Sequence, residues 1–139
     1  MSDVFSKSQR SYLMSKIKGK ETKSEILVRK YIFSKGFRYR KNVRKMPGTP
    51  DIVLSKYITI IFIHGCFWHF LKECKEGRLP ATNTEYWKEK LEKNVERDQK
   101  NISLLASMGW KVIVIWECEL KKVSIRKIRL ELLVDQIKQ

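Results

Sequence analysis

Apolar positions along the chain recur with two different periods, and the change of period marks the elements. Thr22-Lys-Ser-Glu25 is a capping pattern whose side chains can satisfy the free N–H groups of a helix start. Ile26, Leu27, Tyr31 and Ile32 follow at helical spacing, and Gly36 is placed to end that helix. Phe37-Arg-Tyr-Arg-Lys-Asn-Val43 alternates apolar and basic, as a half-exposed strand does, and Met46-Pro-Gly-Thr-Pro50 is a turn. Asp51–Leu54 and Tyr57–His64 read as strands joined tightly through Ser55-Lys56, the second apolar enough to be buried on both faces. Gly65–Asn83, rich in Gly, Pro and charge, reads as a loop. Thr82-Asn-Thr-Glu85 repeats the capping pattern and opens a long helix with Trp87, Leu91, Val95, Ile102 and Leu105 as its buried stripe, stopped by Gly109. Trp110–Trp116 is another buried strand, and Ser124 is expected to cap a last helix with Ile125, Ile128, Leu132 and Ile137 on one face. The order α-β-β-β-α-β-α predicts an α/β fold with a mixed sheet flanked by helices.

No repeat, low-complexity block or linker interrupts this pattern, and 139 residues are about one domain, so a single domain over residues 1–139 is expected. Residues 1–20 stand apart. Over residues 7–20 cations are many and apolar residues few, as in an arm or short helix that needs a partner to be ordered.

Composition changes the picture mainly through charge. The net charge is +15, and it is uneven: residues 1–50 hold 14 Lys and Arg against 3 Asp and Glu, the remainder 16 against 12. A folded domain with that excess on one part points to a polyanion, because neutralising phosphates releases counterions. With 42% hydrophobic residues, a disordered basic tail is excluded. No apolar run approaches the ~18 residues of a membrane span, and the first residues lack a signal-peptide core. A cytoplasmic, nucleoid-associated monomer is therefore expected. In a reducing compartment the three cysteines read as thiols or metal ligands rather than disulfides.

The chemistry gathers after the second strand. Asp51, Cys66 and the two histidines of the chain, His64 and His69, are polar exceptions in an apolar run. Hydrolysing a phosphodiester requires a divalent metal to neutralise charge and a base to activate water. Asp51 is a hard oxygen donor suited to Mg²⁺, although an Asp after Pro can also be a turn residue. Imidazole titrates near neutrality, so one histidine can take a proton while the other holds a phosphate or a metal-bound water. His64 as a plain strand end and His69 as a zinc ligand remain open alternatives. Glu25 has a sufficient reason to exist as part of the capping box. Phe67 and Trp68 are either core or wedges that unstack a base step. Lys90 and Asn94, one helical turn apart, address base edges or phosphate, or merely form a solvated helix face.

The ordered set Pro50-Asp51, His64-Gly-Cys-Phe-Trp-His69, Pro80-Ala-Thr-Asn-Thr-Glu-Tyr-Trp87, Lys93-Asn-Val-Glu-Arg-Asp98 and Val114-Ile-Trp-Glu-Cys118 resembles the very-short-patch repair (Vsr) DNA mismatch endonucleases. The likeness covers nearly the whole chain. It implies a restriction-endonuclease-like αβββαβ core, with Phe62-Ile63-His64 standing where that superfamily often has (Asp/Glu)-x-Lys. It further implies a Mg²⁺-dependent enzyme that nicks one strand 5′ to the T of a T·G mismatch. A 5-methylcytosine methyltransferase is the implied companion activity, and mismatch-repair proteins are conceivable partners. By the same likeness Asp51 anchors the metal with the Ile63 main-chain carbonyl, His69 is the general base, and His64 contacts phosphate or metal-bound water. Glu25 then interacts with the metal-site waters. Phe67, Trp68 and Trp87 intercalate from the major groove, Met14 enters from the minor groove, and Lys90 and Asn94 read the mismatch. Trp110 and Trp116 are assigned to the core. The family also builds a structural Zn²⁺ site from three Cys and one His. Cys66, Cys74 and Cys118 match the thiols, but Leu71-Lys72-Glu73 stands where the histidine would be. Glu73, water or His69 would have to complete the site, or else the zinc is lost.

Overall fold

The computed structural model describes residues 22–71 and 74–139. The basic arm with Met14, and Glu73, lie outside the described residues. Thr22 starts helix α1 (Lys23–Ser34) with an extended backbone and a hydroxyl that accepts the Glu25 N–H at 3.2 Å. The helix ends where Gly36 takes a φ of 91°, which lets the Phe37 N–H turn back to the Ile32 carbonyl. The alternating segment that follows forms only a two-residue strand, β1 (Arg40–Lys41). Asn42 then turns left-handed, yet Asn42 and Val43 still donate to the carbonyls of Asp51 and Pro50, so this arm stays clamped to the next strand.

That next strand, β2 (Ile52–Leu54), leads through a single 3-10 turn at Ser55–Tyr57 into β3 (Thr59–His64), all six of whose residues are buried. β2 pairs antiparallel with β1 and with β3, and β3 pairs parallel with β4 (Lys111–Trp116), giving the order β1-β2-β3-β4. Strand alternation splits the core in two. Ile61 and Ile63 join Ile52, Leu54, Ile113 and Ile115 against Val28 and Ile32 of α1. Ile60 and Phe62 face the opposite side with Val53 and Leu105. His64 has the parity of Ile60 and Phe62, so its ring leaves the sheet on that second side.

The helix covering the second side is α2 (Thr84–Ser107), which buries Leu91 and Leu105 and holds Trp87, Val95 and Ile102 half-buried. Its start differs from the expected capping box. Asn83 is the left-handed cap residue and makes no side-chain cap bond, while the Thr84 hydroxyl donates to the Pro80 carbonyl at 2.8 Å. After β4 come a short helix, α3 (Cys118–Lys121), and the last helix, α4 (Val123–Lys138). Ser124 lies inside α4 rather than capping it. The expected inward face is also corrected: Ile125, Ile128 and Leu132 are exposed, and Arg129, Leu130, Leu133 and Ile137 are buried. The cause is Arg129, whose guanidinium bonds Glu119 at 3.1 Å, Gln136 at 3.0 Å and the Val114 carbonyl at 3.4 Å. These bonds turn that side of the helix to the sheet and allow a charged group to be buried.

Candidate active site

β3 and β4 run parallel and end together at the paired residues His64 and Trp116. Ligands in α/β sheets collect at the carboxyl ends of parallel strands, and a groove of about 820 Å³ opens there. Glu25, Asp51, His64, His69, Phe67, Trp68, Lys90 and Asn94 all line it. Residues separated by up to 69 positions in the sequence thus meet on one surface.

On one wall Asp51 accepts the Ile63 N–H at 2.7 Å, so the carboxyl is fixed against the edge of β3. Burial pushes its pKa up to about 7; the Ile63 N–H pulls it down, the neighbouring Glu25 carboxyl raises it, and Arg29 lowers it. Glu25, itself buried, hydrogen-bonds Asp51. Two carboxyls in hydrogen-bond contact must share a proton. A divalent cation can replace that proton, so these oxygen donors fit Mg²⁺. Glu25 therefore does two things: its N–H is capped by Thr22, while its side chain turns into the site.

On the other wall the imidazoles of His64 and His69 stack with centroids 3.8 Å apart and planes within 5°. His69 Nδ1 meets an Asp98 carboxylate oxygen at 2.5 Å. With the proton on Nδ1 held by the carboxylate, Nε2 of His69 becomes the basic nitrogen. His64 is 5% exposed, and its Nδ1 is buried without a hydrogen-bond partner among the described residues. Burial and the adjacent His69 ring hold its pKa down to about 3, so His64 is neutral at neutral pH. Nitrogens of both rings and an Asp98 oxygen lie within 4.8 Å of one another. Face-to-face rings, however, direct their in-plane lone pairs side by side rather than toward one point. The stack is accordingly a base held by its carboxylate over a neutral imidazole, not a chelate. Trp116 meets both rings edge-on, at 5.1 Å and 6.5 Å, and packs behind them outside both core clusters; Trp110 packs against the second core cluster as expected.

At the mouth of the groove Phe67, Trp68 and Trp87 pack edge to face with centroids 5.1–6.1 Å apart, all half-buried and outside both core clusters. Asn94 Nδ2 donates to the Trp68 carbonyl at 3.0 Å, so Asn94 holds the aromatic loop in place. Lys90 lies one turn earlier on the same face of α2.

The three thiols converge elsewhere in the same loop. The sulfurs of Cys66, Cys74 and Cys118 lie within 4.8 Å of one another, and His69 is grouped with His64 and Asp98 instead. Burial pushes the Cys66 thiol up to about 12 and raises Cys118 as well. Tetrahedral Zn²⁺ separates thiolate sulfurs by about 3.8 Å, a spacing that three sulfurs within 4.8 Å of one another fit.

Sequence reasoning quoted Asp98 inside a motif without giving it work. The signal was available: Lys90, Asn94, Asp98 and Asn101 repeat at helical spacing, polar on the face that meets the site. Trp116, expected in the core, contacts the two imidazoles instead, and Arg29, which acts on Asp51, carries no such pattern.

The likeness to known proteins runs over this same set of residues. The family described as DNA mismatch endonuclease Vsr matches residues 2–76. The chain belongs to the Vsr family. A type II nicking enzyme, V.NmeAIP of Neisseria meningitidis serogroup A, is 56% identical over 138 residues, covering 99% of this chain and 98% of that one. Another nicking enzyme, V.XorIIP of Xanthomonas oryzae, is 41% identical over 97% of this chain and 98% of its own length. The DNA mismatch endonuclease Vsr of Escherichia coli is 42% identical over 87% of this chain and 77% of its length. As a Vsr-family member the chain is an endonuclease acting on DNA, and its mixed sheet flanked by helices agrees with a restriction-endonuclease-like fold. No helix among the described residues of this Vsr protein is long and apolar enough to cross a membrane.

Proposed function

We propose that this Vsr-family endonuclease nicks one strand of duplex DNA 5′ to the T of a T·G mismatch, in a Mg²⁺-dependent reaction. The observation that carries the reading is the shared groove. Two carboxyls, a carboxylate-held histidine over a neutral one, and the half-buried aromatic rings of Phe67 and Trp68 all face it.

His69 accepts the proton of the attacking water at Nε2. Asp98 keeps the ring in that tautomer and stabilises the imidazolium that forms. His64 stays neutral, and its Nδ1, which has no partner among the described residues, is available to a water or a phosphate oxygen, since buried polar groups otherwise find partners within the chain. Asp51 and the Ile63 carbonyl hold the metal, and Glu25 orients water beside it. Mg²⁺ bound there supplies positive charge next to the scissile phosphate. Phe67, Trp68 and Trp87 insert where pairing is weak, since unstacking costs least at a mismatch. Lys90 addresses the neighbouring bases, and Asn94 keeps the inserting loop in position. Met14, on the basic arm, contributes from the minor groove. The cellular setting proposed is the cytoplasm, beside a 5-methylcytosine methyltransferase and mismatch-repair proteins.

Nicking of a panel of duplexes carrying each mismatch, with and without Mg²⁺, tests the reading. Cleavage confined to T·G duplex and to Mg²⁺ is expected. The relatives named as type II nicking enzymes favour one competing reading, a nickase specific for the surrounding sequence. Equal cutting of matched and mismatched duplex would establish that reading instead, and binding without cutting would leave a DNA-binding module.

A further inference from the structure

The polar face of α2 meets a different part of the groove at each turn. Asn94 holds the Trp68 carbonyl, and Asp98 holds His69. One turn further on, Asn101 lies against the turn at residues 46–49 that leads into Pro50-Asp51. A Cβ on Gly48 would lie 3.3 Å from the Asn101 Cβ and Nδ2 and 3.2 Å from the Phe62 ring. That close approach, at a φ of 77°, requires a glycine.

Asn42, Thr49 and Asn101 all line the groove at this end. Asn42 sits across from Asp51, to whose carbonyl its N–H donates at 3.1 Å. Thr49 has a φ of 47°, where a β-branched residue is strained, and strain of that kind is kept at ligand clamps. Unlike Asn94 and Asp98, none of these three side chains hydrogen-bonds another of the described residues. Two amides and a hydroxyl are thus left with their donors at the groove. A helix rises about 1.5 Å per residue, which puts Asn101 about 4.5 Å beyond Asp98 and Lys90 about 12 Å before it. One strand of DNA places a phosphate about every 3.4 Å along the duplex axis. Asn101 is therefore about one nucleotide past the general base, on the side away from the aromatic loop.

We propose that Asn101, Asn42 and Thr49 hold the phosphodiester immediately 5′ of the scissile one, on the strand that is nicked. The inference rests on the proposed function in one respect: the aromatic cluster engages the T, which lies 3′ of the nick, so the opposite end of the groove takes the 5′ side. Phosphate is the ligand because neutral amides and hydroxyls commonly serve phosphate oxygens in DNA complexes, and all three groups offer donors to an oxygen that only accepts. A strand held on both sides of the reacting phosphate cannot slide past His69 and Asp51, and such positioning is itself a large part of catalysis.

The test pairs two variants with neutral methylphosphonate linkages. Asn101→Ala keeps the Cβ that meets the turn and removes only the amide; Thr49→Val keeps the shape and removes only the hydroxyl. Melting temperatures check that both variants are folded. T·G duplexes are made with one methylphosphonate at each phosphate of the nicked strand in turn, and affinities are measured without Mg²⁺ so that no strand is cut. On unmodified duplex Asn101→Ala is expected to bind about tenfold more weakly than wild type, and Thr49→Val to lose affinity in the same direction. A methylphosphonate immediately 5′ of the scissile phosphate should weaken wild type by a similar factor and weaken neither variant further. Losses that multiply at that phosphate in both variants, wild-type affinity in both, or coupling only at a phosphate 3′ of the nick would overturn the proposal. So would a preference among the four bases 5′ of the nick that Asn101→Ala abolishes, which would make the seat a reader of base edges. The phosphate is counted from the nick mapped on the same duplex with Mg²⁺, or from the T where nothing is cut. Equal nicking of matched duplex would thus overturn the mismatch reading and still leave the coupling to decide this one.

Discussion

At the scale of single residues the site turns on two carboxylates that differ in what they face. Asp51 faces another carboxyl and is pushed up to about 7, mainly by burial, so proton and cation compete for it. Nicking should therefore rise with pH through about 7, and its midpoint should move to lower pH as Mg²⁺ is increased; a midpoint indifferent to Mg²⁺ would remove Asp51 as the metal anchor. Asp51→Asn should abolish nicking while DNA affinity stays within a few-fold, and wild-type cleavage by that variant would contradict the assignment. The same group acts on stability. A raised carboxyl pKa means that the folded chain holds the proton more tightly than the unfolded one, so this contribution is complete below about 4 and is lost as pH rises to about 7. His64 has the opposite sign: held down at about 3 by burial, it contributes above about 6.5 and loses that contribution as pH falls toward 3. The two slopes oppose each other in the wild type. In Mg²⁺-free buffer, Asp51→Asn should accordingly lose melting temperature on acidification from pH 7 to 5 more steeply than wild type. Asp98 faces an imidazole instead, and its part is positional. His69→Ala should lower the cleavage rate by a factor on the order of 10²–10⁴ with little loss of binding. Asp98→Asn, which leaves the ring but not its tautomer control, should fall between that variant and wild type. Equal rates for Asp98→Asn and wild type would sever the dyad.

At the scale of elements, parity and spacing were legible where one residue type dominates a face. The all-apolar β3 could be read as buried on both sides, and its parity places His64 toward α2 rather than α1. Helix α4 was not legible in the same way. It carries two apolar arcs, Ile125-Ile128-Leu132 and Leu130-Leu133-Ile137, and the choice between them is made by Arg129 bonding Glu119 and a β4 carbonyl, a contact between distant segments. The capping box at Thr82 failed for a local reason, because Pro80 leaves a carbonyl that the Thr84 hydroxyl takes. Asp98 was legible in the polar helical repeat of Lys90, Asn94 and Asn101, but its pairing with His69 joins distant segments. The loop bearing His69 carries the prediction at this scale. Trp68 packs on Phe67 and Trp87 without entering either core cluster, and Asn94 holds its carbonyl. Trp68→Ala should weaken binding to T·G duplex more than to matched duplex, with the melting temperature close to wild type. Equal losses on both duplexes together with a destabilised protein would return the aromatic cluster to the fold.

At the scale of the whole molecule, charge and insertion make separable contributions, and the basic arm is where they can be pulled apart. Residues 1–20 carry Lys7, Arg10, Lys16, Lys18 and Lys20 around Met14. Cations that neutralise phosphates release counterions irrespective of sequence, so log affinity falls with log salt at a slope of about −0.9 per phosphate contacted. Replacing Lys16, Lys18 and Lys20 by Gln should make that slope shallower by up to about 3 and weaken matched and mismatched duplex alike. An apolar wedge pays instead for unstacking, which is cheapest where pairing is already poor. Met14→Ala should therefore leave the salt slope unchanged and reduce the preference for T·G over matched duplex. Affinities of both variants on both duplexes, measured across a salt series, give the two quantities independently. If Met14→Ala lowers both affinities in parallel, the arm contributes charge and position only, and discrimination rests on the aromatic cluster at the mouth of the groove.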